Sequence, residues 1–262
     1  MAHNYSGTFT VIDGLDGVGK GVVQQAIQSY LEQQKMRIFD LHSFWQKKHD
    51  HPDFNNPKRN DKDNPLYVNL DDFDVILSSE PTFIGIGKSI RFELIENNQR
   101  LYSAHMTARS YSIDRAILYK RVLLPALKAG KHVIQSRSVS TSIVYQPLQK
   151  LEAGEPKITI NQIIKMDGNN LALEHAPGLL IIPTITDIVG LLDRLKKRKK
   201  DDNCQFETIE FQKKIKPLYE SKQLKDIFEK RGTTVAYLDA GISIEDSKRQ
   251  ALEIFKETFP NL

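Results

Sequence analysis

Apolar positions along this chain fall into short dense runs separated by longer stretches where they recur at helical intervals. Thr8-Phe9-Thr10-Val11-Ile12 is β-branched or aromatic throughout and stops at a glycine-rich turn, after which Val22, Ala26, Ile27, Tyr30 and Leu31 keep helical spacing from Gly21 to Leu31. That pattern predicts strand, loop, helix. Further strands are predicted over 36–41, 73–77, 132–135, 179–182 and 234–238, and amphipathic helices over 85–96, 104–129, 159–171, 186–199, 207–230 and 244–257. Gly130 ends the longest of these. Strands alternating with helices predict an α/β fold of three layers, a parallel sheet with helices on both faces. One stretch breaks the pattern: Gln46 to Asp72 is rich in Lys, Asp, Asn, Pro and His, and reads as a polar insert in a single domain spanning 1–262.

Composition narrows the class. A chain of 262 residues with 40% hydrophobic content can bury its own core without a disulfide or metal staple. Its one cysteine, Cys204, allows no intrachain disulfide, and the polar start Met1 to Gly7 lacks a signal-peptide core, so a reducing, cytoplasmic setting is expected. The most apolar run, Gly178 to Leu192, is interrupted by Pro183 and Asp187 and falls short of a membrane helix, so no membrane partner is expected. Thirty-seven basic against 33 acidic residues leave a charge of +4, which favours small anions such as phosphates without amounting to a nucleic-acid coat.

The sharpest chemical signal is Gly14-Leu15-Asp16-Gly17-Val18-Gly19-Lys20, which fits G-x-x-x-x-G-K directly after a predicted strand and directly before a helix. Glycines there let successive backbone N–H groups turn toward phosphate, the helix N-terminus adds partial positive charge, and Lys20 neutralises the β/γ oxygens. Residues 14–20 with Gly21 and Val22 therefore form the expected ATP site, a P-loop, against the plainer reading of a chance glycine turn. The Ser or Thr that would hold Mg²⁺ after the lysine is absent, since Gly21 and Val22 stand there. Asp13, Asp16, Glu80 and Asp114 are the carboxylates that could hold the ion through water, and each is equally suited to a helix cap or a surface charge.

Residues 9–20 taken together resemble the opening of thymidylate kinases, P-loop enzymes that phosphorylate dTMP, and later segments continue the resemblance in order. Glu80-Pro81 followed by Ile86-Gly87-Lys88-Ser89-Ile90-Arg91 is similar to the family's E-P and I-G-x-x-I-R. Tyr111-Ser112-Ile113-Asp114-Arg115-Ala116 matches F-A-A-D-R-A in pattern, residues 125–131 its P-A-L-x-x-G-K, residues 140–146 its S-S-L-A-Y-Q, and residues 238–246 its closing D-A-x-x-S-I-E-E. Only the insert lies outside.

The resemblance implies roles at the matching positions. Tyr111 would stack on the acceptor base, where the family's usual residue is Phe; a core aromatic on a helix face is the alternative. Arg115 would donate to the pyrimidine O4, which separates thymine or uracil from cytosine. Ser142 and Gln146 would face the base edge, Tyr145 would crowd C2′ of the sugar, and Tyr219 would approach the acceptor; Asp13 and Glu80 complete the expected acceptor set. Arg137, at the family's D-R-Y/H position, would bridge the phosphates of donor and acceptor. Its neighbours are Ser136 and Ser138, so the family's metal-side Asp is missing; Ser136-Arg137-Ser138 also resembles the E-R-S motif of deoxyribonucleoside kinases, with serine in place of the glutamate.

Six of the seven residues 194–200 are basic. Composition alone allows a solvated helix end or a nucleic-acid patch; the resemblance makes this a lid at about 194–205, with Arg194 or Arg198 clamping phosphate as it closes. His49, Asp50, His51 and Asp53 suit a solvated loop better than a metal site. The implied activity is transfer of the γ-phosphoryl of ATP to dTMP, giving dTDP, with Mg²⁺ as cofactor, nucleotides as the small-molecule partners, and a homodimer. Alternatives are a kinase for another deoxynucleotide or deoxynucleoside, and a catalytically weak nucleotide-binding protein of the same fold.

Overall fold

The computed structural model describes residues 5–54, 64–149, 154–188, 190–191, 204 and 206–262. Six strands, β1 (Phe9–Ile12), β2 (Ile38–Asp40), β3 (Val75–Ser79), β4 (His132–Ser136), β5 (Leu179–Thr184) and β6 (Thr234–Asp239), form one sheet in the order β2-β3-β4-β1-β5-β6. Every pairing is parallel. β1 and β3 are buried at every position, which requires cover on both faces and explains why they read as dense apolar runs, broken only by Thr10, Ser78 and Ser79, rather than as alternation.

That cover comes from α1 (Lys20–Gln33), α2 (Leu41–Lys48), α3 (Gly85–Ile90), α4 (Ala104–Leu118), α5 (Leu124–Lys128), α6 (Val139–Tyr145), α7 (Ile160–Ile164), α8 (Asp167–Glu174), α9 (Ile209–Tyr219), α10 (Lys222–Glu229) and α11 (Ile244–Thr258). α1 packs on α11, and α4 packs on α8.

Several predicted helices are broken, for local reasons. The span 104–129 contains one π-helical turn, Tyr119–Leu123, between α4 and α5. Pro125 has no N–H to offer and crowds the carbonyl four residues earlier, so the ladder slips just ahead of it. The span 207–230 stops at Tyr219 and restarts after Ser221, whose hydroxyl accepts from the Leu224 N–H. Most of the predicted helix 186–199, and all of the basic run with Arg194 and Arg198, lie outside the described residues.

The segment around the polar insert departs most from its composition. Leu41 and Trp45, four residues apart, bury one face of α2, which carries Gln46 to Lys48 as its last turn. His51 and Phe54 are buried, and Asp53 bridges to Tyr67. Strand β3 reaches two residues beyond its predicted end because Ser78 and Ser79 pair with Gln135 and Ser136 in β4.

Candidate active site

Parallel strands place all their C-terminal ends along one edge, where α/β folds bind ligands. From the edge strand inward this line runs His42, just after β2; Ser79, ending β3; Ser136 and Arg137, at the end of β4; and the phosphate loop, after β1. A cavity of about 400 Å³ opens there, walled by Asp16, Lys20, Glu80, Tyr111, Arg137 and Tyr145 among others.

The loop turns through Gly19, whose φ of 99° at the head of α1 is a conformation that side chains rarely adopt. Lys20 folds back on its own loop: Nζ donates to the carbonyls of Gly14 at 3.1 Å and Leu15 at 2.7 Å, with Asp16 at 3.9 Å. Asp16 is the hub of this end. It takes hydrogen bonds from the Arg137 guanidinium, from the Tyr145 hydroxyl at 3.0 Å and from Gln212 Nε2 at 3.2 Å, while its own N–H donates to Gln212 Oε1 at 3.0 Å. Burial alone would raise the Asp16 carboxyl, but Arg137, Lys20 and Tyr145 outweigh it and hold the group at about 2, so it is charged at neutral pH. Arg137 is held in turn by its N–H to the Ile12 carbonyl at 2.9 Å, with a left-handed backbone at φ 65° that is uncommon outside glycine.

At the other end Arg115, fully buried, pairs with Glu80 at 2.6 Å, reaches Asn169 and donates to Ser142 Oγ at 3.1 Å. Burial pushes the Glu80 carboxyl up against the pull of this guanidinium. Ser142 Oγ also accepts from Gln146 Nε2 at 3.3 Å. Gln146 Oε1 is buried and has no hydrogen-bond partner among the described residues, although the side chain lines the cavity.

The cavity wall therefore gathers Asp16, Gly17, Gly19, Lys20, Gly21, Glu80, Tyr111, Arg137, Ser142, Tyr145 and Gln146 from the sequence-based candidates. Five sit elsewhere. Arg115 stands behind the wall and reaches it through Ser142 and Glu80. Asp13 is buried and receives the hydroxyls of Ser140, Thr141 at 2.7 Å and Tyr219 at 2.9 Å, which also accounts for Tyr219. Asp114 accepts from the Thr82 N–H at 2.8 Å and hydroxyl at 2.6 Å. Leu15 and Val18 are buried apolar side chains of the phosphate loop. Gly14 and Val22 belong to that loop and the first turn of α1, off the wall.

Among the described residues there is no group of three or more His, Cys, Asp or Glu side chains placed to hold a metal. Of the four carboxylates, Asp16 and Glu80 face the cavity; Glu80 is paired with the fully buried Arg115, while Asp16, ionised and paired with the more accessible Arg137, would fit a magnesium ion held through water once Arg137 turns to the nucleotide. Sequence reasoning passed over several wall or near-wall residues, Gln212 and His42 among them. Gln212 meets Asp16 across 196 positions of sequence, and His42 enters the wall from α2, a helix hidden by the polar stretch behind it.

Known proteins give the chain a family. The sequence profile of the family described as thymidylate kinase matches residues 66–251, which starts after the phosphate loop and after α2. A thymidylate kinase of the Aster yellows witches'-broom phytoplasma is 24% identical over 192 residues, covering 71% of this chain and 85% of the relative. That of Caldicellulosiruptor saccharolyticus is 29% identical over 149 residues, 57% of this chain and 68% of the relative. In fold, the chain is similar to the solved structure of a thymidylate kinase from Candida albicans, with a TM-score of 0.58 at 20% identity over 97% of this chain and 93% of that one. No helix among the described residues is long and apolar enough to cross a membrane.

Proposed function

This chain belongs to the thymidylate kinase family, and from that premise we propose that its cavity binds ATP at the phosphate loop and dTMP at the Ser142–Gln146 wall, and transfers the γ-phosphoryl between them. It is an ATP-dependent phosphotransferase. The observation that carries the choice of base is the unpaired Gln146 Oε1. A buried acceptor left unpaired costs about 1–3 kcal/mol, a penalty removed when a ligand supplies a donor. Ser142 Oγ already accepts from two groups and has only its proton to give. The wall thus offers one acceptor beside one donor, which matches N3–H and O4 of thymine or uracil and opposes N3 and N4–H₂ of cytosine. Arg115 holds Ser142 in this state, and Tyr111 gives the base a flat apolar face. Tyr145 supports the exclusion of a ribose hydroxyl.

Transfer between phosphates needs no covalent enzyme intermediate; positioning and positive charge suffice. Lys20 and Arg137, both now turned onto Asp16, supply that charge when they swing to the nucleotide. Arg194 or Arg198 would add to it from the lid, and the assembly would be a homodimer. A magnesium ion, bound through water at Asp16, would offset charge on the β/γ oxygens.

The test is a coupled ADP-release assay with ATP and Mg²⁺ over dTMP, dUMP, UMP, dCMP, dGMP and thymidine. Turnover with dTMP, less with dUMP and none with dCMP is expected. ATP binding without turnover on any acceptor would establish instead the nucleotide-binding protein that Gly21, Val22 and Ser136 would permit.

A further inference from the structure

The edge unit formed by β2 and α2 precedes the span matched by the family profile, yet it places a side chain in the acceptor end of the cavity. His42 sits in the first turn of α2. Its Nδ1 lies 3.2 Å from Asp40 Oδ1, and a carboxylate only accepts, so the ring proton is on Nδ1. Nε2 therefore presents a lone pair, and the Ser79 hydroxyl, 2.7 Å away on the cavity wall, donates to it. Asp40 is fixed by the His42 N–H at 2.9 Å and the Ser43 hydroxyl at 2.7 Å, and the imidazole packs nearly perpendicular to both Trp45 and Phe83, with ring centroids 5.6 and 5.2 Å away.

In this state Ser79 turns only lone pairs toward the cavity. The surroundings suit an anion instead: Arg91 lines the same cavity, held by the Pro81 and Thr82 carbonyls with its guanidinium 3.6 Å above the Phe83 ring, and Ser79 pairs in register with Ser136, next to Arg137. Ser79 can donate to an anion and keep its bond to the imidazole only if that bond reverses, and the reversal requires a proton on Nε2. We propose that Asp40, His42 and Ser79 form a relay in which entry of the acceptor's phosphate draws one proton from solvent onto His42, so that Nε2–H donates to Ser79 and Ser79 donates to the phosphate. His42 is then a positioning residue and Ser79 the group that touches the acceptor. This rests on the reading of the cavity as a nucleoside monophosphate site.

The charged groups facing the ring are Asp40 and Arg91. Burial lowers the imidazole below its ordinary value; Asp40 opposes this and Arg91 adds to it, so the empty site is neutral near pH 7. A bound phosphate raises it. Binding therefore takes up a proton, and affinity rises as pH falls through the bound-state value.

Calorimetric titration with dTMP in two buffers of different ionisation enthalpy, on the native protein and on His42→Gln and His42→Phe, reads the effect. Because dTMP's own phosphate titrates, the difference from His42→Gln is the measured quantity. Gln keeps an acceptor at the Nε2 position but cannot charge, and thermal melting verifies that both variants fold. Between pH 8 and 6 the affinity of the native protein should gain on that of His42→Gln by at least about fivefold, with proton uptake seen only in the native protein. Equal uptake in all three overturns the relay, as does uptake in none. dUMP, UMP, dCMP and dGMP are titrated alongside: if one of them binds in place of dTMP, the choice of base fails while the relay is read on that ligand, and if no monophosphate binds, the acceptor site and the relay both fall.

Discussion

Arg137 shows what a single residue carries here. Its guanidinium is tied to Asp16 and stands 5.7 Å from the centroid of the Tyr145 ring, so it is aimed at the phosphate end before any nucleotide arrives. Arg137→Ala should lower kcat by about a thousandfold, the scale of an arginine that stabilises a transferring phosphoryl group, and change the ATP dissociation constant far less. Single-turnover kinetics alongside nucleotide titration separates the two. The sequence made Arg137 readable because it follows a predicted strand and stands at the family's D-R-Y/H position. It could not reveal that Arg115 lies behind the wall, because what places Arg115 there is Glu80, 35 positions earlier, and Asn169, 54 positions later. A motif records the residue type and is silent on which neighbours consume its hydrogen bonds.

Between elements, close approach decides more than propensity. A Cβ on Gly168 would stand 1.8 Å from the Ser112 carbonyl oxygen, and the Gly168 N–H donates to Ser112 Oγ at 2.9 Å, so α8 starts against α4 with no room to spare. Asn169, which holds Arg115, is the next residue. Gly168→Ala should push α8 outward, cost about 1–3 kcal/mol in urea denaturation, and raise the KM for the acceptor more than that for ATP. Periodicity predicted one continuous helix over 159–171 because Ile160, Ile163 and Ile164 keep helical spacing. The chain breaks at Lys165 and Met166 so that Gly168 can reach Ser112, a requirement set by α4 and invisible in the local pattern. The alternation of strands and helices was legible because parallel strands buried on both faces are dense apolar runs; α2 was not, because Leu41 and Trp45 are its only buried residues.

For the molecule as a whole, acid stability should report on Asp16. Its carboxyl is held below its ordinary value, so its contribution is fully present above about pH 4 and is lost as pH falls toward 2. Asp16→Asn should remove about 2 kcal/mol of this pH dependence, measured as a flatter decline in the urea midpoint between pH 5 and 2. An identical slope in the variant would show that folding leaves the Asp16 carboxyl at its ordinary value.

The strand order has a further consequence. β1 carries the phosphate loop and occupies the middle of the sheet, yet its two partners begin at His132 and Leu179. A growing chain therefore exposes Phe9, Val11 and Ile12 without any strand partner until residue 136 has left the ribosome, on the order of ten seconds at ordinary synthesis rates, and without the second partner until residue 184 follows. Nucleotide gives that nascent strand no protection over the interval, since the loop that would grip ATP has no seat until the sheet closes around it.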